Sequence, residues 1–186
     1  MSEPGRQPSL RTPGMRAAAA ATGALWVGHA LFVWLAASRL PERYPVHFDV
    51  AGQPDRWAAR GDFEWYLLVL LGGLLGLGLT LLGLYFHKIP LRYVNLPGKD
   101  RLLGLPPERR APVLRVAAWL LVLLGLLIVA MFGSIQYVMY RSAWMGRVDA
   151  LLFVVLGFEL AALLGLVVGS LLVLRRRLRE ALGGPA

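Results

Sequence analysis

The sequence predicts an all-α membrane protein: four transmembrane helices in a bundle, with a short extended or hairpin-like outer loop between helices 1 and 2. Three observations carry that prediction. Four apolar runs, Ala17–Ser38, Trp65–Phe86, Val116–Tyr140 and Ala150–Leu174, each hold 22 to 25 residues. One acid, Glu159, is the only charge inside them, and all twelve prolines fall outside them. A helix rises about 1.5 Å per residue, so each run crosses a hydrocarbon core of about 30 Å. The chain is 57% hydrophobic, and too little lies between the runs to build a separate water-soluble core.

The first run follows Arg6, Arg11 and Arg16, which read as part of a disordered basic tail over residues 1–16. Its 22 residues exceed the roughly 7–15 of a signal-peptide core, so it reads as a retained anchor. The membrane domain is expected over 17–175, with an outer loop at 39–64, a second loop at 87–115 and a terminal tail at 176–186.

Lys and Arg concentrate in cytoplasmic segments. The tail before the first run has three, the second loop seven and the C-terminal end four. The first loop has four and the third two. Both termini and the second loop are therefore expected in the cytoplasm, in a bacterial plasma membrane, with the first and third loops outside. A net charge of +9 in so apolar a chain points to anionic lipid headgroups. No basic patch is interleaved with stacking aromatics, so nucleic acid is not an expected partner. The chain has no Cys, which excludes disulfides, thiol redox chemistry and a catalytic Cys.

Helices in lipid associate through small residues and polar contacts. The fourth run places Gly157, Ala161, Gly165 and Gly169 at four-residue spacing, and this stripe is the expected packing face. The second run has Gly72 and Gly76 in the same pattern, and the first has Ala20, Ala24 and Gly28. Glu159 stands about 200° around the helix from Gly157, so the fourth helix is expected to meet protein or water on two faces. A homodimer or a partner membrane subunit would satisfy that. His29 in the first run lies about 14 Å below the outer end, level with Glu159, and is a candidate partner for it; the alternative is a protonated Glu159 bonded to a backbone group or a Ser. Gln136 and Ser134 would line the same polar seam.

The first loop is long for a connection. Tyr44–Val50 favours extended backbone, and Ala51-Gly52-Gln53-Pro54-Asp55 is turn chemistry. His47, Asp49 and Asp55 supply an imidazole and two carboxylates, a set that zinc or manganese accepts. One His in the loop and no helical HxxxH spacing favour a folded loop over a metal site, with His47 bonded to a neighbouring carboxylate.

Leu40-Pro41, Pro45-Val46-His47-Phe48 and Gly52-Gln53-Pro54-Asp55 resemble the signature of the bacterial membrane family known as domain of unknown function 1648. That domain also forms the N-terminal part of the sporulation-delay toxin immunity protein. Asn95, Pro97, Lys99 and Asp100, followed by Glu108 and Arg109, are similar to a cytoplasmic segment of its relatives. The resemblance implies a binding, sensing or immunity-type protein, with a recognition loop outside and a cytoplasmic regulator at the basic loop. The alternatives are a small transporter or permease component using Glu159 and His29, and an accessory subunit of a membrane complex. No G-x-S-x-G, HExxH or phosphate loop occurs, so no enzyme activity and no cofactor are expected.

Overall fold

The computed structural model describes residues 10–183. Most of the basic tail, residues 1–9, and the last three residues lie outside the described residues. Helix α1, Pro13–Ala37, begins earlier than the apolar run because Pro13 pre-sets its first turn and Thr12 caps it, its Oγ accepting the Met15 N–H at 3.2 Å. Residues 13–16 are thus helical rather than tail. The buried face of α1 is Met15, Thr22, His29, Val33 and Ala36. Ala20, Ala24 and Gly28 are exposed, so that stripe does not pack within the chain.

Strands β1, Arg43–Phe48, and β2, Pro54–Ala59, pair antiparallel into the expected hairpin. Helix α2, Glu64–Leu84, crosses next and contains a π turn at Gly73–Leu77. The second loop is folded. Short 3-10 turns at Phe86–Lys88 and Leu91–Tyr93 lead to a short helix, α3, Lys99–Leu103. Helix α4, Pro107–Met145, has 39 residues, and α5, Leu151–Ala181, has 31. All four long helices have the length and composition to cross a membrane.

Helix α4 starts nine residues before the expected run, because Pro107 opens it and the polar stretch Glu108–Arg110 continues it. Pro112 therefore sits inside a helix rather than ahead of one, although still outside the apolar run. Helix α4 is the hub: α1, α2 and α5 all pack on it, and α5 rests mainly against α4.

The tightest crossing is α2 on α4. A Cβ added at Gly83 would lie 2.7 Å from the Ala118 carbonyl oxygen, and one at Gly76 would lie 2.8 Å from that of Gly125. Gly125 in turn has no room for a side chain against Gly76 and Thr80. The α5 stripe behaves oppositely. A Cβ at Gly157, Gly165 or Gly169 would meet nothing within 4 Å, and Ala161 is exposed. The expected packing face thus lies open, because small residues on both partners let α2 approach α4 more closely than a one-sided stripe would.

Two buried clusters hold the ends. Val33, Ala36, Leu40, Tyr44, Ala58, Trp65, Val69 and Ala143 join the hairpin to α1, α2 and α4. At the opposite end Leu10, Met15, Phe86, Leu91, Leu102, Leu114, Leu174 and others join the second loop to α1, α4 and α5.

Candidate functional site: the hairpin cap

The hairpin is fixed at its base. Arg60 donates its backbone N–H to the Glu42 carbonyl at 2.8 Å and its guanidinium to the Ser38 and Leu40 carbonyls at 3.3 Å. Tyr44 is buried edge-on against Trp65, with ring centroids 6.0 Å apart. The Trp65 indole donates to the Val33 carbonyl at 2.9 Å, tying α2 to the last turns of α1. Pro41 is half-buried at the entry and Pro45 is buried opposite Trp57.

The tip is fixed as well. Asp49 accepts the N–H groups of Ala51 and Gln53 at 2.9 and 2.8 Å. Gly52 takes φ +76°, a conformation that strains any residue with a Cβ. An added Cβ there would also lie 3.0 Å from the Val148 side chain, on the turn between α4 and α5. Between tip and turn lies a cleft of about 380 Å³, lined by Gly52, Gln53, Met145, Arg147 and Asp149 among others. Asp149 is oriented by an ion pair with Arg141 at 2.5 Å, and its N–H donates to Ser142 Oγ at 3.0 Å. Sequence reasoning passed over this cleft. Its signal was the polar pair Ser142 and Asp149 just beyond an apolar run.

The strand register slips twice, between Pro45 and His47 and again between His47 and Phe48, where Phe48 pairs with Pro54. The irregularity leaves Asp55 out of register and sets its carboxylate 2.5 Å from His47 Nδ1. Both side chains of this pair are largely exposed, while Phe48 and Pro54 are half-buried. Asp49 is engaged in its turn and does not join them. Among the described residues no three His, Asp or Glu side chains cluster as a metal site.

The intramembrane polar residues are not brought together as expected. Ser134 donates to Glu159 Oε1. His29 faces Gly133, with Gln136 as its polar neighbour, and neither ring nitrogen has a hydrogen-bond partner. Ser134 and Gln136 are two residues apart on α4, so they point about 160° away from each other. Helix α4 thus stands between His29 and Glu159, and there are two polar spots instead of one seam.

At the other end Lys99 donates to the Arg92 carbonyl at 2.9 Å, and Gly98 approaches Leu178 of α5. Asn95, Pro97, Asp100, Glu108 and Arg109 are exposed. Burial, reinforced by the charges of Arg11 and Lys88, holds His87 below its ordinary pKa.

Residues 24–72 match the family described as a domain of unknown function, DUF1648. The match runs from within α1 through the hairpin into α2. An uncharacterised protein of Archaeoglobus fulgidus is 28% identical over 145 residues, covering 71% of this chain and 73% of that protein. No solved structure matches.

Proposed function

We propose that this multi-pass membrane protein, which carries a DUF1648 domain at residues 24–72, uses the outer hairpin of that domain as a recognition element. The observation that supports the reading best is the exposed His47–Asp55 pair on a cap whose base and tip are both anchored. The fold does not need that pair for burial. A rigid scaffold presenting exposed polar groups is how binding residues are usually held. The sheet has two strands, so each keeps an unpaired edge to which an extended peptide can add a strand. The ligand in this reading is an extracytoplasmic peptide or toxin segment at the outer edge of β2, beside Asp55 and Trp57. The Lys and Arg distribution supports a plasma-membrane orientation with the hairpin outside and the Asn95–Arg109 region facing a cytoplasmic regulator.

A photocrosslinking residue in place of Trp57, expressed in native membranes, tests this. The reading expects a discrete protein or peptide adduct that disappears when His47→Ala and Asp55→Ala are added and persists with Glu159→Gln. Adducts to lipid alone, or an adduct indifferent to His47 and Asp55, would contradict it. A second reading, an accessory subunit of a membrane complex, is favoured by the one-sided packing of α5 and by its exposed Phe153 and Phe158.

A further inference from the structure

We propose that the groove between α4 and α5 binds one anionic phospholipid, its acyl chain lying along Gly165 and Gly169 and its phosphate held by Arg115 and Arg177. The groove has a volume of about 600 Å³, and Val116, Trp119, Leu123 and Val173 are among its walls. That volume is within the range of ligand sites, about 300–1,000 Å³. From Gly165 to Arg177 the α5 wall runs about 18 Å, close to one leaflet of a core about 30 Å thick. The two glycines leave the groove open, since a Cβ on either would meet nothing within 4 Å.

Charge selects the occupant. Both arginines line the groove at the edge of the apolar runs, where headgroups lie. Arg115 forms none of the ion pairs among the described residues, and its Nε is buried without a hydrogen-bond partner. Arg177 gives Nη1 to Glu180 at 2.9 Å, which leaves other donors of its fork. At headgroup level a lipid phosphate accepts from two guanidinium forks well. The Trp119 side chain suits the same interface. A second copy of the chain fits less well. A two-fold contact through this groove would bring its two arginines towards their own copies without counter-charge.

Native mass spectrometry of the full chain in mild detergent tests the assignment, with phosphatidylglycerol and phosphatidylcholine of identical acyl chains. The proposal expects one phosphatidylglycerol retained per chain, at least tenfold over phosphatidylcholine, and no displacement by inorganic phosphate. Arg115→Gln with Arg177→Gln should cut phosphatidylglycerol retention about tenfold and leave phosphatidylcholine unchanged. Gly169→Leu, which fills the groove, should cut both. Arg92→Gln with Arg101→Gln removes equal charge outside the groove and should change nothing. If Gly169→Leu loses its helical circular dichroism, the two arginine pairs decide. Equal retention of the two lipids, equal loss from both arginine pairs, or displacement by phosphate would overturn the proposal. So would a Gly165→Cys disulfide dimer in native membranes that forms at the expense of bound lipid.

Discussion

Tyr44 and His47 sit three residues apart on β1, and burial separates what Tyr44 does from what His47 does with Asp55 of β2. Tyr44 is about 1% exposed, and its hydroxyl has no hydrogen-bond partner. Burial first, then the charges of Glu64 and Asp62, push its pKa from 10.0 up to about 12. Above pH 10 the unfolded chain releases that proton while the folded chain keeps it, so stability falls as pH rises from about 10 to about 12. Tyr44→Phe should remove this alkaline loss and cost little at neutral pH, because no bond is broken. Melting curves in nanodiscs at pH 8 and pH 11 check it. A variant several degrees less stable at pH 8 would show that the hydroxyl has a partner. The exposed pair should matter little to stability: Asp55→Asn should cost no more than about 1 kcal/mol in the same assay. A larger loss would make the pair part of the fold and weaken its assignment to recognition. That His47 meets a carboxylate was legible from its place beside an obvious turn. For Glu159 the sequence left a Ser and His29 both open, because choosing Ser134 over His29 requires knowing which side of α4 each helix occupies.

At the scale of elements, apolar length revealed every span but not every helix end. Hydropathy marks only the lipid-embedded part, so the polar first turns of α1 and α4 were read as tail and loop. Small-residue spacing likewise showed which helices can approach closely and not which do. The partner that decides is Gly125, which no small residue at four-residue spacing marks, since Leu121 and Val129 flank it there. Gly125→Ala should therefore cost roughly 1–3 kcal/mol, since α2 must back away from α4 along its length. Gly165→Ala and Gly157→Ala, at open positions, should stay within about 0.5 kcal/mol of the parent or stabilise it. Unfolding titrations in mixed micelles compare them directly, and the reverse order would contradict the packing of α2 on α4. The π turn in α2 was also hidden in the sequence. There the Trp26 indole donates to the Val69 carbonyl at 3.0 Å, and Gly73 leaves room for the ring.

On the scale of the whole molecule, the hairpin and the folded loop at 85–106 close opposite ends of one bundle, each with its own buried cluster. Helix α4 runs between those ends and touches both clusters. A ligand at the hairpin can therefore act on the folded loop only through α4 and the helices packed on it. The proposed orientation, with the folded loop in the cytoplasm and the hairpin outside, rests on the Lys and Arg asymmetry. The chain has no Cys, so a single introduced Cys reports its own position. The most direct measurement is labelling of Gln53→Cys and Asn95→Cys by a membrane-impermeant maleimide, in intact cells and after permeabilisation. Gln53→Cys should react in intact cells and Asn95→Cys only after permeabilisation. Reaction of both from the same side, or Asn95→Cys alone from outside, would contradict the account.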